Sequence, residues 1–149
     1  MKARDIMPTT YFLFLLILTT GFHFLFPMGK WIPSPLNYLG ILLILFGIVL
    51  NLWTDGLFKK FNTTVKPHLK PTSLQVSGPF RISRHPMYLG GAAILLGTAI
   101  ILGSSVSFLF PAIFIILMEI IFIPMEEKNL EDAFGQEYLE YRKRVRRWI

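Results

Sequence analysis

Residues 87–123 read MYLGGAAILLGTAIILGSSVSFLFPAIFIILMEIIFI, two apolar runs separated only by Gly103-Ser104-Ser105. Neither run has a polar stripe at helical spacing. Each is apolar around the whole circumference of a helix, which suits lipid better than the surface of a soluble core. A helix rises 1.5 Å per residue, so a hydrocarbon layer of about 30 Å needs about 20 residues. The run 106–123 fits that length, and 87–102 is short enough to borrow flanking residues. A three-residue connection makes the pair a tight antiparallel helical hairpin. The start of the first helix and the end of the second then meet at one membrane face.

Two further apolar runs, 11–26 and 36–53, bring the number of spans to four. Lys2 and Arg4 resemble the basic start of a signal peptide. However, Phe22, His23, Phe24 and Phe26 stand where small residues would be needed for cleavage, so the first run reads as a retained span. Composition agrees. Of 149 residues, 53% are apolar and 16% charged, against roughly 45–50% and 25% in ordinary soluble domains. The absence of Cys excludes a disulfide scaffold, a thiol nucleophile and Cys-ligated zinc. The predicted fold is an all-α integral membrane bundle of about four transmembrane helices, with a C-terminal amphipathic interfacial helix. It forms one domain: two spans within 1–54, a connecting loop over 55–86, the hairpin over 87–127 and a tail over 128–149.

The net charge is +6, and its placement gives a topology. Lys2 and Arg4 precede the first span. Lys59, Lys60, Lys66, Lys70, Arg81 and Arg84 lie in the second loop. Lys128, Arg142, Lys143, Arg144, Arg146 and Arg147 lie in the tail. The other connections carry Lys30 alone, a split of fourteen against one. The positive-inside rule places both termini in the cytoplasm. The same split assigns the basic residues to topology and lipid headgroups, so no nucleic-acid partner is expected. Pro27, Pro33 and Pro35 punctuate the first loop. Pro67, Pro71, Gly78, Pro79 and Pro86 make the long second loop mostly irregular, and loops of that length are uncommon unless functional or disordered.

Polar chemistry gathers at the ends of the hairpin. Arg81, Ser83, Arg84 and His85 precede Pro86, which fits the first helical position because its missing N–H costs nothing there. Helix N–H groups beyond it, with Arg81, Arg84 and His85, can hold an anionic group. Gly90 and Gly91 allow close approach of a ligand or a helix. The same stretch also reads as a basic interfacial anchor with a small-residue packing face. Glu126-Glu127, at the far end of the second apolar run, would oppose the helix macrodipole. The pair suits an amine, a ribose diol or a cationic centre, or else is a solvated pair facing Lys128 and Arg142. Glu119 lies inside a span, where an ionisable group marks a functional site by default. Its seven-residue spacing from Glu126 puts both on nearly one face. Glu119 is otherwise wet near the interface, or neutral and hydrogen-bonded. Tyr138, Tyr141, Val145 and Trp148 recur at helical spacing, with Glu140 placed to pair with Arg144, giving an amphipathic tail helix that anchors on the membrane or closes over the site. His23, His68 and His85 have no metal-ligand spacing, so no metal is expected. There is no P-loop and no dinucleotide fingerprint.

Taken in order, Gly78-Pro79-Phe80-Arg81, Arg84-His85-Pro86-Met87-Tyr88-Leu89-Gly90, Glu126-Glu127, Leu130, Phe134-Gly135, Tyr138, Tyr141 and the basic end resemble the isoprenylcysteine carboxyl methyltransferase and phospholipid methyltransferase group of membrane enzymes. The resemblance covers about residues 76–148 and implies S-adenosylmethionine as cofactor, bound from the cytosol. The implied acceptor is lipophilic and enters from the bilayer: a lipid amine, a hydroxyl or an isoprenoid-linked carboxylate. It places Arg84, His85, Tyr88, Leu89 and Gly90 against the cofactor, has Glu126 and Glu127 complete the pocket, and lets Tyr138, Tyr141 and Arg142 cover it. Isoprenylcysteine enzymes resemble one another in an Arg one turn before the first Glu, where this chain has Phe122. Their Arg is a natural partner for an acceptor carboxylate. Methyl transfer needs an aligned, deprotonated acceptor, and Glu119 or Glu126 is the expected base or cation stabiliser. Two other readings stand beside it. One is an NADPH-dependent reductase of a lipid enone, since membrane reductases share an Arg-His-Pro-like turn. The other is a non-enzymatic membrane protein that keeps an inherited site.

Overall fold

A computed structural model of the chain describes residues 7–26, 29–61 and 72–149. Lys2, Arg4, Pro27, Lys66, Pro67, His68, Lys70 and Pro71 lie outside the described residues. Among those described, the protein is all helical. Helix α1 spans Pro8–Leu25 and opens on a proline. Helix α2 spans Leu39–Lys60, and α3 spans Pro86–Leu102. Gly103 ends α3 in the left-handed region at φ 69°, where a side chain would be strained. Helix α4 runs over Ser105–Phe134. Gly135, at φ 49°, turns the chain into α5, Gln136–Arg144.

By length and composition α1, α2 and α4 can each cross a membrane. Helix α3, at 17 residues, is a shorter apolar helix. Its rise gives it a length of roughly 25 Å. Two boundaries differ from the sequence expectation. Helix α2 continues to Lys60, so the long connection begins as helix, and Gly78–Arg81 forms a 3-10 turn within it. Helix α4 does not stop near residue 123. It passes through a π-helical turn at Met118–Phe122 and continues to Phe134. Glu126 and Glu127 therefore sit inside a helix and do not face its terminal dipole.

Helices α2 and α3 pack along their length through glycines spaced by seven. A Cβ on Gly40 would strike the Gly97 carbonyl oxygen, and one on Gly47 would strike that of Gly90. In lipid, where burial of apolar surface gives no drive between helices, this close fit is what holds two spans together. Gly90 thus meets α2, where a Cβ would strike the Asn51 side chain and the Gly47 carbonyl. Helices α1, α3 and α4 share a core that includes Leu15, Leu95, Phe114, Met118 and Phe122. Two buried hydroxyls within the spans are satisfied locally: Thr19 and Thr54 donate to the carbonyls of Leu15 (2.7 Å) and Leu50 (2.8 Å). At the end away from His85, Trp31 N–H donates to the Gly103 carbonyl (2.8 Å) and ties the first loop to the hairpin turn.

Candidate functional site

The start of α3, the middle of α4 and the last residues of the chain converge. Ser83 builds the turn: its hydroxyl accepts from the His85 N–H (3.1 Å) and donates to the Arg147 carbonyl (2.8 Å). Pro86 follows, and the N–H groups of Tyr88 and Leu89 both bond to the His85 carbonyl (3.1 Å each). With those two donors turned inward, an anion here would rely on side chains.

Glu126 accepts two hydrogen bonds, one from the Tyr88 hydroxyl (2.5 Å) and one from His85 Nδ1 (3.0 Å). The His85 and Tyr88 rings stack, with interplanar angle 9°. Burial disfavours a charged His85. The hydrogen bonds and negative charges of Glu126 and Glu127 outweigh that and hold its pKa above the ordinary value. Glu127 is buried and lies between guanidinium groups. Arg84 Nη1 is 3.0 Å from it, and Arg147 grips it through Nε (3.0 Å) and Nη2 (2.8 Å). Arg147 Nη1 bonds Glu119, whose other oxygen accepts from the Trp148 indole N–H (3.0 Å). Three carboxylates are thereby matched by two guanidiniums and a histidine poised to be charged.

Glu119 and Glu126 do not share a face. The π-turn between them takes up one extra residue. The carboxylate that returns to the side of Glu119 is Glu127, eight residues on, and Arg147 bridges that pair. Tyr138 and Tyr141 are buried beneath the site beside Phe80. Tyr138 accepts from Arg84 Nη1 (3.2 Å), and Tyr141 donates to the Phe80 carbonyl (2.7 Å). Burial raises the pKa of both phenols, which keeps them protonated. The apolar face of α5 therefore lies on the chain's own turn at Phe80. Arg144 Nε reaches the Glu140 carbonyl (3.4 Å). Arg142 forms a half-exposed pair with Glu131 at 3.7 Å.

A cavity of about 490 Å³ opens beside this cluster, within the ~300–1,000 Å³ usual for small-molecule sites. Arg84, His85, Tyr88 and Glu126 line it. Glu127, Tyr138 and Tyr141 stand behind them. Leu89, Gly90, Glu119 and Arg142 are not among its lining residues. The opposite wall adds Asn51 and Asp55 from α2 and the start of α1, with Phe12, Phe58 and Phe114 as apolar surface. Asn51 and Asp55 were missed, although their i, i+4 spacing in an otherwise apolar run was the available signal. Phe122 is fully buried, edge-on to Tyr11, in the core.

The fit to a polar cofactor can be judged from the atoms left over. Arg84 Nε, His85 Nε2 and Asn51 Oδ1 are buried without a hydrogen bond; His85 Nε2 comes within 3.5 Å of Glu127 at poor geometry. Buried polar atoms of this kind normally have partners. A wall of Arg84, His85, Tyr88 and Glu126 facing the apolar surface of Phe12, Phe58 and Phe114 suits a zwitterionic, partly apolar molecule.

The sequence matches the phospholipid methyltransferase (PEMT) family over residues 36–137, so the match includes α2 as well as the hairpin. The chain belongs to that family. It is 32% identical over 114 residues to human protein-S-isoprenylcysteine O-methyltransferase, covering 74% of this chain and 39% of that protein. It is 35% identical over 72 residues to protein-S-isoprenylcysteine O-methyltransferase B of Arabidopsis thaliana, covering 48% and 36% respectively. A protein of Haemophilus influenzae described as uncharacterized is 43% identical over 63 residues, all of that protein and 42% of this one. The matches thus span well under half the length of the two methyltransferases.

Proposed function

We propose that this protein transfers a methyl group from S-adenosylmethionine to a lipophilic acceptor at the cytoplasmic face of a membrane. The observation that carries the reading is the cavity wall formed by Arg84, His85, Tyr88 and Glu126, set in a bundle whose family is phospholipid methyltransferase. S-adenosylmethionine, when bound, supplies a methyl group made electrophilic by its sulfonium. Arg84 and His85, on the cavity wall, face the anionic and polar parts of the cofactor. Phe12, Phe58 and Phe114 supply the apolar surface that keeps water out. Glu126 takes the acceptor proton, because it is the carboxylate on the cavity wall, and Tyr88 and His85 fix its orientation. Glu119 is engaged with Arg147 and Trp148, so its role is to hold the tail.

The acceptor is better an amine or a hydroxyl than a carboxylate. Among the described residues, the cations on the cavity wall are Arg84 and His85, already engaged with Glu127 and Glu126 respectively, so neither is left over for an acceptor carboxylate. The basic second loop and tail orient the site toward the cytosol. The test is calorimetry on the purified protein in detergent with S-adenosylmethionine, S-adenosylhomocysteine and NADPH. Micromolar binding of the first two, lost in His85→Ala, is expected. Binding of NADPH alone would replace this reading with the reductase.

A further inference from the structure

The last five residues fall outside the family match, which ends at residue 137. Nevertheless they contribute more contacts to the carboxylate cluster than α5 does. Resting on the cofactor reading above, we propose that Arg147 is a positioning residue. It holds Glu127 and Glu119 together and so leaves Arg84 and His85 turned toward the cofactor cavity.

Glu127 is only 5% exposed, and a carboxylate so buried must be paired. Three groups compete for it. Arg147 offers a two-pronged fork at 3.0 and 2.8 Å. Arg84 offers one nitrogen at 3.0 Å, and His85 Nε2 stands at 3.5 Å without a proper hydrogen bond. Because the Arg147 fork satisfies both carboxylate oxygens, His85 Nδ1 stays on Glu126, and Arg84 Nε stays unpaired. Without the fork, Glu127 would draw Arg84 and His85 toward itself and away from the cavity.

The tail backbone fixes the same turn. The Arg146 carbonyl accepts from Arg84 N–H (3.0 Å), and the Arg147 carbonyl accepts from His85 N–H (3.3 Å) and the Ser83 hydroxyl (2.8 Å). Trp148 locks the far side through Glu119. A segment 64 residues away in sequence thus sets both backbone and side chains of the Arg84-His85 pair. A strap that served only to hold the helices together would need neither the fork on Glu127 nor the carbonyls on Arg84 and His85.

The test compares S-adenosylhomocysteine affinity, by calorimetry in detergent, for wild type, Arg147→Met, Arg147→Lys and Trp148→Phe. Losing a hydrogen bond to a charged group commonly costs on the order of 10- to 100-fold in affinity. Arg147→Met should weaken binding by about that factor, and Arg147→Lys should restore part of it, since it returns the charge but not the fork. A pH series separates positioning from stability. Glu127 faces Arg84 and His85 at the turn, Tyr138 on α5, Arg147 on the tail, and Glu119 and Glu126 on its own helix. In Arg147→Met its freed carboxylate competes for Arg84 and His85, so affinity should recover as falling pH protonates Glu127. If Arg147→Met does not fold, Trp148→Phe keeps the packing and removes one N–H to Glu119; about threefold weaker binding is expected. Unchanged affinity and unchanged pH profile in Arg147→Lys and Trp148→Phe would overturn the positioning role while leaving the cofactor reading intact. Failure of wild type to bind would overturn both.

Discussion

Replacing Glu126 by Gln removes a charge while keeping the shape of the side chain, and it separates catalysis from stability. Glu126 accepts from the Tyr88 hydroxyl at 2.5 Å and from His85 Nδ1 at 3.0 Å. A glutamine keeps one acceptor oxygen and turns an NH2 group toward the other partner, so both bonds lose the charge of the carboxylate. A hydrogen bond to a charged group contributes about 1.5–3 kcal/mol. The Glu126 side chain is 21% exposed, so solvent screens part of this. The expected loss of stability is about 1–2 kcal/mol, or roughly 2–8 °C in melting temperature for a chain of this size. Loss of a general base lowers turnover by about 10²–10⁴-fold. The two effects are therefore of different order. Turnover would be followed as transfer of a labelled methyl group into organic-extractable material, at a temperature where calorimetry or tryptophan fluorescence shows both proteins folded. Turnover within about threefold of wild type, in folded Glu126→Gln, would refute the assignment of Glu126 as the base.

Three other outcomes are expected. Gly47→Leu should prevent close packing of α2 on α3 and lower the melting temperature sharply, whereas Gly56→Ala, with open space beside it, should be neutral or stabilising by about 0.5–1 kcal/mol. For pH, the His85 pKa is raised in the folded protein, so its ion pairs contribute fully below its ordinary value of about 6.5 and fade as pH climbs through the raised one. The melting-temperature gap between wild type and His85→Gln should therefore shrink at alkaline pH; a gap that widens would contradict the assignment. Because the chain has no cysteine, single cysteines at Lys30 and Arg146 report topology cleanly. In intact cells an impermeant maleimide should label the first and not the second, and the reverse would invert the proposed orientation.

The helical bundle was readable because lipid-facing helices need no polar stripe, and the Gly103-Ser104-Ser105 turn left a hairpin as the only geometry. The pairing of α2 with α3 was also written in the chain: Gly40 and Gly47 are spaced like Gly90 and Gly97. Gly90 read as a contact for either ligand or helix, and the helix occupies it. The carboxylates were harder to read. A period of 3.6 places Glu126 with Glu119, but the π-turn at Met118–Phe122 inserts one residue and hands that place to Glu127. Nothing in a run of apolar residues signals such a turn. The spacing of Tyr138 and Tyr141 announced an apolar face without saying what covers it, since lipid and Phe80 satisfy it equally well. Arg147 was read only as part of a basic end and Trp148 only as part of the tail's apolar face, because a long-range partner such as Glu119 leaves no local pattern. Asn51 and Asp55 were not singled out, and it is the fold that sets them on the cavity with Glu126.

The central claim is methyl transfer to a lipid. Its most direct measurement is incubation of membranes containing the protein with S-adenosylmethionine carrying a labelled methyl group, followed by extraction and mass analysis of the lipids. Lipid-extractable label that depends on the wild-type protein and is lost with His85→Ala is predicted. Label confined to the aqueous phase, with folded protein and cofactor in excess, would contradict it.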